Sequence, residues 1–246
     1  MRIKNNRKIS LAIALPIFVL CALAALIYSG RLVPNRLFAA DYPVKGVDIS
    51  AYQGTIDWKT LSAQGISFVF IKATEGSSFV DENFACNYDG ARQTKLRVGA
   101  YHFFSYDSAG STQADNFIET VARFEGMLPP VIDLEFYGDK RQNPPSQADV
   151  RRELDAFIEK VTEYYGMKPI IYATEKSYSL YLDGAYEDCD IWIRNVYMPP
   201  TLSGNRDWTF WQYTDKGLLD GYQGEEKYID LNVFCGTEEE FSNYFQ

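Results

Sequence analysis

Eight short apolar runs recur along the chain at wide spacing. They are GVDIS (46–50), FVFIKA (68–73), RVGAYHFF (97–104), PVIDLE (130–135), PIIYA (169–173), IWIRNV (191–196), WTFWQY (208–213) and YIDLNVF (228–234). Most are near-continuous in apolar residues instead of alternating, which is the pattern of parallel strands covered on both faces. Helical patterns separate the early runs, at 57–63, 83–94, 111–123 and 146–165, with a shorter one at 176–182. In 111–123 the side chains of Ala114, Phe117, Ile118 and Val121 share a face. In 146–165 Val150, Leu154, Phe157, Ile158 and Val161 do the same, with Ser146 placed as N-cap and Gly166 as the C-terminal cap residue. Alternation of this kind predicts an α/β chain folded as a (β/α)8, TIM-like barrel. Beyond residue 196 the helical period is lost. Segments 197–207 and 214–227 hold Pro199, Pro200, Gly204, Gly217, Gly221 and Gly224, so the last third is read as β-hairpin-like or looped, giving an irregular barrel that lacks some outer helices.

The N-terminus reads differently. Residues 1–10 carry Arg2, Lys4, Arg7 and Lys8, and residues 11–28 form an uncharged apolar stretch of 18 residues. That is just long enough to cross a bilayer, and positive charge ahead of it sets the N-terminus inside. The expected organisation is a signal-anchor or transmembrane segment (1–28), a tether (29–45) and a barrel domain (46–246). The protein would then be a single-pass protein of the cytoplasmic membrane with its barrel on the extracytoplasmic side. A tether of this length, fully extended, reaches no further than about 55–60 Å. The alternative is a cleaved signal, with Ala22-Leu23-Ala24 as the cleavage site, and a secreted barrel. The chain carries −9 overall, and its first 40 residues hold six basic side chains and no acid, which leaves −15 on the remainder. So acidic a domain lacks the basic surface that nucleic-acid binding requires. A monomer is expected.

In a barrel of parallel strands the functional end is the carboxyl end, and polar residues gather there in this sequence. Asp48 closes the first run. Tyr101 and His102 lie in the third, and Asp133 and Glu135 end the fourth. Trp192 and Arg194 lie in the sixth, Trp211, Gln212 and Tyr213 in the seventh, Asp230 and Asn232 in the eighth. Asp133 and Glu135 are two residues apart, so in a strand they point the same way. Like charges on one face resist burial, so the pair is not there for stability. Paired carboxylates without metal ligands or a nucleotide-binding loop suit glycoside hydrolysis, where one protonated acid donates to the leaving oxygen and another group handles the charge developing at the sugar carbon. Tyr101, Trp192, Trp211, Gln212 and Tyr213 are the candidates for binding the sugar, with Trp211 and Tyr213 open to the alternative of filling the core. Lys72 and Glu75 are read as partners of each other. His102 is the single histidine and is read as a packed or supporting residue in preference to a proton carrier. No metal site is expected from one histidine and four scattered cysteines, and no cofactor.

The motifs DISAYQGTIDW (48–58), FVFIKATEG (68–76), the D-x-x-F-x-x-N spacing of Asp81, Phe84 and Asn87, GAYHFF (99–104), VIDLE (131–135), WQY (211–213) and DLN (230–232) stand in the order seen in family 25 glycoside hydrolases. The chain resembles these Chalaropsis-type lysozymes, or N-acetylmuramidases, over residues 46–236. The resemblance implies cleavage of the β-1,4 bond between N-acetylmuramic acid and N-acetylglucosamine in peptidoglycan glycan strands. It implies Glu135 as general acid, Asp133 as the carboxylate that stabilises the reacting sugar, Asp48 and Asp230 as further acids of the cleft, and Tyr101 near the cleavage point. It also favours retention of configuration, with the substrate's 2-acetamido group as nucleophile. Two other readings stand beside it: a glycan-binding module that does not cut, and a hydrolase of chitin-like glycans.

Overall fold

The computed structural model describes the backbone of residues 3–29 and 31–245, with side chains described from residue 14 onward. All eight expected strands form. They are β1 (Lys45–Ile49), β2 (Phe68–Glu75), β4 (Arg97–Phe103), β5 (Val131–Leu134), β6 (Ile170–Thr174), β7 (Ile191–Arg194), β8 (Phe210–Gly217) and β9 (Ile229–Phe234), while β3 (Phe79–Val80) is a two-residue spur on β2. Sheet order runs β1-β9-β8-β7-β6-β5-β4-β2, and pairing of β1 with β2 closes it into a barrel. β1, β2 and β4 to β8 are parallel to one another, but β9 is antiparallel to both β8 and β1. The antiparallel β8–β9 pair is the hairpin-like last third that the sequence led us to expect. No helix separates β8 from β9, so the chain turns back at the carboxyl end of β8 and must return in the opposite sense. The first residues of β9 therefore lie at the same end of the barrel as the last residues of the others.

Helices α1 (Ile3–Tyr28), α2 (Asn35–Ala39), α3 (Trp58–Ser62), α4 (Phe84–Ala91), α5 (Gly110–Thr120) and α6 (Gln147–Tyr165) precede or flank the strands. α6 is capped as its sequence predicts: Ser146 Oγ accepts from the Asp149 amide, and Gly166 takes the left-handed conformation (φ 73°). The expected helix at 176–182 is a short α turn running into a five-residue π-helix (Tyr178–Leu182). The barrel interior is plugged at its amino end by Phe68, Phe70, Val131, Ile170, Phe210 and Phe234. Gly46 and Gly99 make room for these rings: a Cβ would stand 2.3 Å from the Phe68 ring at one and 2.5 Å from the Phe70 ring at the other. The second core lies between barrel and helices.

The segment expected as a tether is folded onto the barrel. Val33, Asn35, Ala39 and Val44 are buried, and the ring of Tyr42 lies 5.4 Å from that of Trp208 and 6.4 Å from that of Trp211. Asn35 Nδ2 donates to the carbonyls of Asn195 and Tyr213, both at 3.0 Å, and Lys45 Nζ donates to the Ala39 carbonyl. Residues 31–44 thus cover the outer face of β8, where no helix follows in sequence. The apolar rings of Trp211 and Tyr213 need a cover there, and a short helix with two buried side chains supplies it.

The apolar stretch 11–28 lies within α1, and its first three residues fall outside the described side chains. Among the described residues no helix is long and apolar enough to cross a membrane.

Candidate active site

The carboxyl end of the barrel holds a small hollow of about 90 Å³ lined by Asp48, Tyr101, Asp133, Glu135, Tyr172, Trp192, Gln212 and Asp230. Each comes from an inward-facing position of its strand. Asp133 lies in β5 and Glu135 just beyond its end, two residues on, so both turn to the barrel axis. Asp48 and Asp230 are register partners across the antiparallel β1–β9 pair. All four candidate acids therefore meet at one mouth.

Asp48 is the best-solvated of the four by protein groups. Gln212 Nε2 donates to its two oxygens at 3.0 and 3.2 Å, and Asn232 Nδ2 donates at 2.7 Å. Those amides are themselves fixed: Tyr172 Oη donates to Gln212 Oε1 at 3.0 Å, and Trp192 Nε1 to Asn232 Oδ1 at 2.9 Å. The Trp192 ring is buried, stacked 4.8 Å from Phe70 and edge-on to Tyr172. Burial raises the Asp48 carboxyl, and the hydrogen bonds from Asn232, Gln212 and Asp230 oppose that rise. The Asp230 carboxyl is pushed well above its usual range by burial and by the charge of Asp48.

Asp133 is different. It is buried, and its Oδ1 has no hydrogen-bond partner. Burial, and then the neighbouring Glu135, push its carboxyl well above the ordinary range. Burial also raises Glu135, but the guanidinium groups of Arg194 and Arg141 pull it back. Burial thus disfavours the charged form of both acids, most strongly at Asp133. An unpartnered buried acceptor costs about 1–3 kcal/mol, and the fold tolerates it beside the pair most crowded with negative charge.

Trp211 and Tyr213 do not line the hollow. They point to the outer face of β8, in the core between barrel and α2, and Trp211 Nε1 donates to the Asn195 carbonyl at 2.9 Å. The assignment of three consecutive residues to the cleft is corrected by strand alternation: of 211, 212 and 213 only Gln212 shares the inward face. The same alternation brings in Tyr172, a residue passed over in the run PIIYA, which pairs in register with Asp133 and Trp192. Tyr101 and Trp192 both line the hollow.

His102 faces outward from β4, fully buried, with Nδ1 2.7 Å from Thr74 Oγ1 and Nε2 3.0 Å from Gln113 Oε1. Burial lowers its pKa to about 4, so it is neutral, on the face of β4 turned away from the acids. Lys72 and Glu75 pair at 2.7 Å. They line a second, larger hollow of about 670 Å³ with Tyr52, Phe79, Asp107 and Tyr137. Lys72 is the register partner of Tyr101, which places this hollow beside the acids as room for a longer ligand. Cys21, Cys86, Cys189 and Cys235 are free thiols, and among the described residues no group of His, Cys, Asp or Glu is arranged to hold a metal ion.

The model of the glycosyl hydrolases family 25 matches residues 47–222 of the chain. The match takes in Asp48, Asp133 and Glu135 and ends before Asp230. A family 25 glycosyl hydrolase from Bacillus anthracis has a similar structure, with a TM-score of 0.80 and 57% identity, over 83% of this chain and 94% of that one. A bacterial lysozyme from Streptomyces coelicolor is similar at a TM-score of 0.75 and 30% identity, over 83% and 98%. Lysozyme M1 of Streptomyces globisporus is 31% identical over 210 residues, 79% of this chain and 68% of that protein.

Proposed function

The chain belongs to family 25 of the glycosyl hydrolases, and from that premise we propose that it is a lysozyme, an N-acetylmuramidase that hydrolyses the β-1,4 bond between N-acetylmuramic acid and N-acetylglucosamine in peptidoglycan. The observation that carries the reading is the Asp133–Glu135 pair, with one buried oxygen of Asp133 left without a partner.

That oxygen is the complement of a sugar's 2-acetamido N–H. A hydrogen bond to the charged form of an acid favours that form. Substrate binding would therefore ionise Asp133 and leave a proton on Glu135. Glu135 then donates it to the glycosidic oxygen as the bond from C1 to the leaving sugar breaks. The acetamido carbonyl oxygen attacks C1, and the Asp133 carboxylate stabilises the positive ring that forms. In the second half, Glu135 takes a proton from water as the water attacks C1, the ring opens, and configuration is retained. Asp48, held by Gln212 and Asn232, supplies negative potential to a sugar carbon that gains positive charge. The hollow of about 90 Å³ suits a sugar substituent, while the ring itself lies across the mouth.

The decisive variant is Glu135→Gln, which keeps shape and removes the proton. General acid catalysis typically supplies about 10²–10⁴-fold. The variant should fold, sediment with peptidoglycan as the wild type does and lose at least that much turnover. Near-normal turnover would exclude Glu135 as the acid. Equal, absent turnover in both proteins would favour a binding module.

The same proposal extends to location: α1 is an uncleaved membrane anchor and the barrel lies outside the cytoplasmic membrane. Supporting this, Leu15, Ile17, Phe18, Leu20, Leu23 and Ile27 are all exposed on α1, and at 100° per residue they lie around its whole circumference. A helix apolar on every side has no aqueous face, and the basic residues 1–10 stand on the inner flank.

A further inference from the structure

The described part of α1 ends at the catalytic mouth. Lys216 Nζ, one residue before the carboxyl end of β8, donates to the Tyr28 carbonyl at 2.8 Å and lies 5.2 Å from the centre of the Tyr28 ring. Tyr228, immediately before β9, donates from Oη to the Ser29 carbonyl at 3.0 Å. The Leu32 amide reaches back to the Leu26 carbonyl at 3.0 Å, which closes the end of the helix. From there residues 31–44 descend along β8 to the opposite end of the barrel, held by Asn35 on the Asn195 and Tyr213 carbonyls and by Tyr42 on Trp208 and Trp211. The chain joins β1 at Lys45.

Tyr28 is thus both the last residue of the apolar stretch and the residue clamped to the rim. Asp230 lies two residues beyond Tyr228, about 7 Å of extended chain. Given the anchor reading above, on which this inference rests, we propose that residues 31–44 are a docked strap that holds the catalytic mouth at the surface of the phospholipid bilayer entered by α1. The mouth then works on glycan lying against that surface. Its reach is set by the clamp at Lys216 and Tyr228, not by the length of an extended tether.

The test uses the full chain in vesicles of phosphatidylcholine and phosphatidylglycerol carrying an acceptor dye on a lipid headgroup. With Cys21, Cys86 and Cys235 changed to Ser, one donor dye is placed at Leu218→Cys, exposed at the rim, or at Glu125→Cys, exposed at the other end of the barrel. The two ends are separated by about the length of the eight-residue β8, roughly 25 Å. Energy transfer should be several-fold stronger from position 218 than from position 125. The gap should close when Asn35→Ala and Tyr42→Ala release the strap while α1 stays in the bilayer. Equal transfer from both positions in the strapped protein, or stronger transfer from 125, would overturn the strap. Failure of the protein to float with the vesicles would overturn the anchor itself, and the absence of transfer from either dye would mark that outcome apart.

Discussion

Asp133→Asn should make the protein more stable at neutral pH while removing its activity. Asp133 is buried, its Oδ1 lacks a partner, and burial together with Glu135 raises its carboxyl well above the ordinary range. In the unfolded chain it titrates near about 3.9. A carboxyl whose folded pKa lies above its unfolded one costs nothing while both states are protonated. As pH rises past about 4, the unfolded chain releases its proton freely and the folded one does not, so stability is lost progressively up to the folded pKa. Asparagine keeps the shape and never ionises. A carboxyl tenfold weaker in the fold than in the unfolded chain loses about 1.4 kcal/mol, so the gain should be at least of that order, which in a domain of this length is about 3–6 °C in Tm. Thermal unfolding of both proteins, followed by tryptophan fluorescence from pH 4 to pH 8, measures it. The difference should be largest at the alkaline end and vanish towards pH 4. A variant no more stable than wild type at pH 8, or a difference independent of pH, would refute the placing of Asp133 as a strained, proton-holding acid.

Asn35→Ala removes two buried hydrogen bonds, each worth about 0.5–1.5 kcal/mol, so urea unfolding should show a loss of about 1–3 kcal/mol and earlier proteolysis within 31–44. Trp211→Phe should lower stability through the lost bond to the Asn195 carbonyl and leave the KM for glycan unchanged, since the ring lies outside the cleft; a raised KM with unaltered stability would return Trp211 to the site.

The eight strands and the long α6 were legible because continuous apolar runs and a 3.6-residue period are local signals. The run YIDLNVF reads the same in either sense, and it was the helix-free, glycine-rich segment before it that marked a hairpin-like return; β9 runs antiparallel to β8. Asp230 reaches the mouth only because of that reversal, standing near the start of its strand instead of the end. The alternation that united Asp133 and Glu135 also separates Trp211 and Tyr213 from Gln212 and singles out Tyr172. Nothing local marked residues 31–44 as part of the fold. Val33, Asn35, Ala39 and Tyr42 are too few and too irregular for a period, and their value lies in Trp208, Trp211 and Tyr213, more than 160 residues away.

The central claim, that this mouth cuts after N-acetylmuramic acid, is tested most directly by the chemistry of the new chain ends. Purified peptidoglycan is digested with the full-length protein in detergent, reduced with borohydride, and the products are identified by mass spectrometry. The account predicts reduced muramic acid at the new ends, formed by the wild type and not by Glu135→Gln. Reduced N-acetylglucosamine at those ends, or no release of glycan by the wild type, would contradict it.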